Sequence, residues 1–120
     1  MLSFPPTVRI HVARECVDLR KGFDGLCGII RDEFDLDPLS GHFFVFFNRR
    51  RTHTKIMHWD RSGFWIYYKR LEKGTFEIPE PSSAGDHVVR MKPSELALIL
   101  DGIELRHVKR RRRYDYARPE

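Results

Sequence analysis

The stretch FFVFFNRRRTHTKIMHWDRSGFWIYYKRL, from Phe43 to Leu71, decides the fold. Phe43 to Phe47 is a short apolar run of strand formers and reads as a central strand. Asn48-Arg49-Arg50-Arg51 closes it as a basic loop. Lys55 to Trp59 and Phe64 to Leu71 then flank Asp60-Arg61-Ser62-Gly63, a hairpin turn with glycine in its last position. Lys73-Gly74 makes a second turn into Thr75 to Ile78, so the whole stretch predicts an antiparallel meander. Alternation puts Phe64, Ile66 and Tyr68 on one face of its strand and Trp65, Tyr67, Lys69 and Leu71 on the other.

Upstream, Val8, Ile10 and Val12 alternate with Arg9 and His11, the period of a half-buried strand. The period then lengthens. From Asp18, read as an N-cap, Leu19, Phe23, Leu26, Ile30 and Phe34 form one helical stripe, which Asp35-Leu36-Asp37-Pro38 ends. Gly22, Gly25 and Gly28 lie in this helix at a cost of about 1 kcal/mol each relative to alanine. Close backbone packing on a sheet is the expected compensation. Ser40-Gly41 is a turn, and Pro79 to Gly85 is a loop. Val88 to Met91 adds a short edge strand, and Pro93 opens a helix carrying Leu96, Ile99, Leu100 and Ile103, with Gly102 near its end. The order strand, helix, meander, helix predicts an α+β fold: an antiparallel sheet packed with two helices, without the alternation of a Rossmann-like fold.

A chain of 120 residues builds one domain, here residues 1–105, followed by a basic tail, 106–120, expected to be flexible. The net charge of +5 lies wholly in that tail. Residues 1–105 carry 15 basic and 15 acidic side chains, whereas 106–120 carry 7 and 2. No apolar run reaches the ~20 residues needed to span a bilayer, and the amino terminus lacks a signal-peptide pattern. Cys16 and Cys27 form no metal or redox pair and read as free thiols, which places the protein in the cytoplasm.

No convincing active site emerges. Metal-dependent strand transfer needs carboxylates converging on two ions. Asp32, Glu33, Asp35 and Asp37 instead read as a solvated face at a helix end, and Asp18, Asp24 and Asp60 as cap or turn residues. The six histidines are scattered without ligand spacing, and no serine lies in a nucleophile elbow. There is no phosphate-cradling glycine motif, so no catalytic residue, metal or cofactor is expected. Ser40 to Phe47 is a near miss to the RNA-binding strand signature, and its phenylalanines read as core.

Cations interleaved with aromatics are the stronger signal, because cations neutralise phosphates while rings stack or pack against sugars. Arg49, Arg50, Arg51 and Lys55 lie near Trp59, and Lys69 and Arg70 follow Trp65, Tyr67 and Tyr68. Lys109, Arg110, Arg111, Arg112 and Arg113 form the densest cationic run, suited to phosphate backbones without sequence preference. A solvated loop and a solubilising tail are the alternatives.

Several ordered blocks together resemble a known family. They are Asp18-Leu-Arg-Lys-Gly-Phe-Asp-Gly25, Ser40 to Phe47, Asn48 to Arg51, Lys55-Ile-Met-His-Trp-Asp60, Gly63-Phe64, Lys69-Arg-Leu-Glu-Lys-Gly-Thr-Phe76 and Leu96 to Ile103. Over residues 8–105 the chain is similar to the TnpB-type accessory proteins, encoded by the second reading frame of insertion-sequence-66 elements. That resemblance implies a non-catalytic part in DNA transposition beside two other element-encoded proteins, a transposase and a second accessory protein. The family's polar positions fall on Arg20, Lys21, Asp24, Arg49, Arg51, Lys55, Asp60, Lys69, Arg70 and Glu72, with no assigned roles. Lys92 stands where the family often has a Ser or Thr cap, which weakens the second helix start.

The expected function is DNA binding or assembly with the transposase. Arg20, Lys21, Arg49, Arg50, Arg51, Lys55, Lys69, Arg70 and residues 109–113 are the candidate nucleic-acid contacts. A protein adaptor that never touches DNA is the rival reading, and a metal-dependent nuclease a third. No membrane partner is expected, and an open sheet edge leaves a homo-oligomer open.

Overall fold

The structure, a computed structural model, describes residues 7–78 and 86–101. Its elements run β1 (Ile10–Ala13), α1 (Phe23–Asp32), β2 (Phe43–Phe47), β3 (His53–Trp59), β4 (Phe64–Arg70), β5 (Val88–Met91) and α2 (Pro93–Leu100). The five strands form one sheet in the order β4-β3-β2-β1-β5. Pairs β2/β3 and β3/β4 are antiparallel, as the meander predicts; β1 and β5 are also antiparallel, while β1 and β2 pair in parallel through the α1 crossover. The α+β architecture is thus as expected, with a mixed sheet.

The two helices cover opposite faces of this sheet. On one, Leu26, Cys27, Ile29 and Ile30 of α1 pack with Ala13, Phe44, Phe46 and Met57. On the other, Leu96 and Ile99 of α2 pack with Ile10, Val12, Phe43, Val45, Phe47 and Ile56. Strand β2 is therefore buried at every residue, which is why its sequence is apolar without alternation. Each phenylalanine buried there contributes roughly 2–3 kcal/mol of transfer free energy.

Three local expectations are corrected. Helix α1 begins at Phe23 with Gly22 as N-cap, not at Asp18. The Asp18 carboxylate instead accepts the Arg20 backbone N–H at 3.0 Å and the Arg20 guanidinium, a local turn that competes with helix formation. The glycines of α1 are not points of close approach to the sheet. A Cβ on Gly22 or Gly28 would meet nothing within 4 Å, and one on Gly25 would meet the Lys21 side chain. Finally, residues 75–78 add no strand. Gly74 has φ +74, and the segment turns onto the α2-side core, where Phe76 is buried against Phe47 with ring centroids 5.5 Å apart.

Other boundaries match the reading. Helix α1 ends at Asp32 with Glu33 as C-cap, and just beyond it Asp35 adopts φ 55 while Leu36 donates its N–H back to the Ile30 carbonyl at 3.0 Å. The start of α2 does not depend on a hydroxyl cap. Glu95 accepts the Lys92 N–H at 3.0 Å and donates its own N–H to the Lys92 carbonyl at 3.0 Å, which secures the first turn.

Candidate nucleic-acid interface

Because β1 and β2 are parallel, their carboxyl ends share one end of the sheet. The chain leaving β1 crosses that end, where Val17 donates its N–H to the Phe47 carbonyl at 2.9 Å. Residues 17–22 thereby come beside the β2–β3 loop. Strand β4 finishes at the same end, since Arg70 pairs with His53 and Leu71 donates to the Thr52 carbonyl at 2.8 Å. The topology thus gathers Arg20, Lys21, Arg49, Arg50, Arg51, Lys55, Lys69 and Arg70, scattered over fifty residues of sequence, at one end of the sheet. Lys109 to Arg113 lie outside the described residues.

The arginine loop is held rigidly from inside. The Asn48 amide oxygen accepts the N–H groups of Thr52 at 2.9 Å and His53 at 3.0 Å, while its Nδ2 donates to Thr52 Oγ1. Arg51 sits at φ 60 and donates its N–H to the Asn48 carbonyl at 3.0 Å. Arg49, Arg50 and Arg51 are all exposed, and among the described residues none has a side-chain hydrogen bond or ion pair. Three unpaired guanidinium groups on an ordered loop require little ordering to meet an anion. Between this loop and residues 16–19 lies a shallow open cleft of about 400 Å³.

The remaining cations are partly engaged within the chain. Arg20 forms a salt bridge to Asp18 at 2.7 Å, and the same contact holds the Asp18 carboxyl down at about 2. Arg70 pairs with Glu72 at 2.9 Å. Lys55 donates to the Lys21 carbonyl at 3.0 Å with its ammonium 5.4 Å from the Tyr68 ring centroid, and Lys69 donates to the Leu100 carbonyl at the end of α2. Neither partner is an anion, so neither lysine is committed to an ion pair. Arg20 and Arg70 offer less to an anion than their sequence positions suggested.

The strand alternation read from sequence holds in β4, with a feature the sequence did not reveal. Phe64 and Ile66 pack on the α1-side core, whereas Trp65 and Tyr67 stand 53% and 36% exposed on the other face. Their rings are 17° from parallel with centroids 6.2 Å apart. The Trp65 indole N–H donates to the Asp60 carboxylate, which also accepts the N–H groups of Ser62 and Gly63 and is held below the usual carboxylate range chiefly by the Trp65 bond. The signal was present as alternation on a strand whose edge position only the sheet order discloses.

Among the described residues there is no cluster of three or more His, Cys, Asp or Glu able to hold a metal ion, and no helix long and apolar enough to cross a membrane. Asp32, Glu33 and Asp37 are exposed at the end of α1 and beyond it, and Asp35 turns the chain there. Cys16 is exposed and Cys27 buried, both as free thiols, and burial pushes the Cys27 thiol up.

Comparison with known proteins agrees with the blocks read from the sequence. Two proteins of Sinorhizobium fredii (strain NBRC 101917 / NGR234) are similar. One, uncharacterized protein y4jC, is 35% identical over 104 residues, covering 87% of this chain and 86% of its own. The other, uncharacterized protein y4hO, is 34% identical over 107 residues, covering 89% and 90%. No solved structure matches. The family described as IS66 Orf2 like protein matches residues 8–110, and the chain therefore belongs to that family of transposition-associated insertion-sequence proteins.

Proposed function

We propose that the protein is a non-catalytic accessory factor of insertion-sequence transposition that holds DNA by its phosphate backbone and assembles with the element's transposase. The observation that carries this reading is the Arg49–Arg51 loop, internally braced and exposed, whose three guanidinium groups have no side-chain partner among the described residues. Lys21, Lys55 and Lys69 add charge at the same end of the sheet. The Lys109–Arg113 run supplies further cations in sequence. Phosphate contacts of this kind position a protein on DNA without reading its sequence.

The test is a titration of labelled duplex DNA, element-end against scrambled sequence, over a salt series. Intact protein, an Arg49→Ala/Arg50→Ala/Arg51→Ala variant and a chain ending at Leu105 are compared. Each arginine–phosphate pairing removed should reduce the slope of log affinity against log salt by about 0.9, so the triple variant should lose up to about 3. An unchanged slope would remove the loop from the interface. No binding by intact protein at low salt would sink DNA contact and leave the transposase adaptor.

A further inference from the structure

We infer that the outer face of β4 is a stacking platform for unpaired bases of single-stranded DNA, built on Trp65 and Tyr67. This rests on the DNA-binding reading and adds to it which form of DNA the folded domain engages. Across the sheet, Phe43, His58 and Trp65 form one row and Val45, Ile56 and Tyr67 the next. Phe43, Val45 and Ile56 belong to the core beneath α2 and His58 stacks on Phe43, while the β4 members are the exposed aromatics of the two rows. An exposed tryptophan ordinarily gains little from being fixed. Here the indole is anchored by Asp60, whose carboxylate is itself held by the hairpin turn, so the ring is presented in one orientation before any ligand arrives. Tyr67 lies beside it in a nearly parallel plane.

The surrounding charge selects the occupant. Lys69 follows Tyr67 on the same face, and β4 runs directly into the end of the sheet that carries the arginine loop. At the opposite end the exposed Arg61 lies in the adjoining turn. The adjacent carboxylate, Asp60, keeps its negative charge but directs its oxygens to the indole and the turn N–H groups. Aromatic faces bordered by cations suit a polyanion with flat bases. Duplex DNA keeps its base faces inside the helical stack, so two rings on an open sheet can reach only unpaired bases. Phosphates then run toward Lys69 and the arginine loop.

Three ligands of equal length distinguish the contributions: a single-stranded oligonucleotide, its duplex, and an abasic strand with the same phosphates and no bases. Full-length protein should bind the single strand more tightly than either of the others. Trp65→Ala and Tyr67→Ala should each weaken single-strand binding roughly fivefold to a hundredfold, leaving duplex and abasic binding unchanged. Trp65→Phe should restore most of it, and unaltered circular dichroism and thermal midpoint show that folding is intact. In a Trp59→Phe background, Trp65 fluorescence should be accessible to acrylamide in free protein and shielded by the oligonucleotide. Equal binding of all three ligands, unmoved by Trp65→Ala, would overturn the platform while leaving the phosphate-binding reading standing. Binding of none would overturn both. Shielding of Trp65 in free full-length protein, meaning that the chain or a second copy already covers it, would also overturn the proposal. Tighter binding of the matching RNA strand would overturn its assignment to DNA.

Discussion

The backbone N–H of Phe76 donates to the carbonyl of Arg51 at 2.7 Å, tying a fully buried core ring to the tip of the arginine loop. The loop that presents the cations is therefore anchored to the hydrophobic core in addition to being braced by Asn48. Truncating the ring should be felt in both places.

Phe76→Ala is expected to destabilise the protein by about 3–5 kcal/mol, the usual range for removing a buried phenylalanine. Urea denaturation measures this. The residues 71–78 that cross the α2-side core should become the most exchange-labile part of the folded domain, and the Arg51 tether should weaken without any change in charge, because alanine keeps the backbone N–H but loses the ring that fixes it.

Acidification should begin to weaken the fold as the pH drops below about 6.5. His11 is buried on β1, stacked on Phe44 at 5.3 Å, and burial lowers its pKa to about 4, with His42, Arg90 and Arg9 acting in the same direction. The unfolded chain takes up this proton near the usual 6.5, before the folded chain does. The stability linked to His11 is thus fully present above 6.5, falls as pH drops from 6.5 to about 4, and has gone below that. His42, lowered by its own burial and then by Arg9 and Arg90, acts with the same sign. Denaturation midpoints at pH 7.5 and 4.5 should converge in His11→Phe, and an undiminished difference would assign the effect elsewhere.

Gly28→Ala should stabilise the protein by about 0.5–1 kcal/mol, because a Cβ there meets nothing within 4 Å and alanine is the better helix former. Gly25→Ala should gain less, since its Cβ would lie 3.0 Å from the Lys21 Cβ. Thermal midpoints of the two variants, measured side by side, rank them. Equal gains would mean that Lys21 yields without cost.

Arg61→Gly should raise stability by about 1 kcal/mol. Arg61 has φ 85 at the first central position of the β3–β4 turn, a left-handed conformation that costs an L-residue roughly that much and glycine little. Asp60→Ala should act oppositely, removing the acceptor for Ser62, Gly63 and Trp65 together. Chemical denaturation of both variants tests the pair.

Much of this was legible from local pattern. The Phe43–Phe47 strand, the Asp60–Gly63 hairpin, the edge strand at Val88–Met91 and the helix opening at Pro93 follow from residue periods and turn chemistry, which act within a few positions. The start of α1 was misread because an Asp18 side chain that satisfies its neighbours' N–H groups looks the same in sequence whether it caps a helix or closes a turn ahead of one. Residues 75–78 alternate like a strand, yet Phe76 gains more by filling the α2-side core beside Phe47 than a short strand would by lengthening the sheet.

By itself the sequence determined most of the elements, the burial of β2, the family and the identity of the candidate cations, since each depends on residue type and near spacing. Only the tertiary structure decided the parallel β1/β2 pairing, and with it the gathering of Lys21, Lys55, Lys69 and the arginine loop at one end. It also decided which cations are spent on internal partners and which aromatics stay in solvent. Those outcomes depend on strand order and on which helix covers which face, and the proximity of residues 18, 49 and 70 has no local signature along the chain.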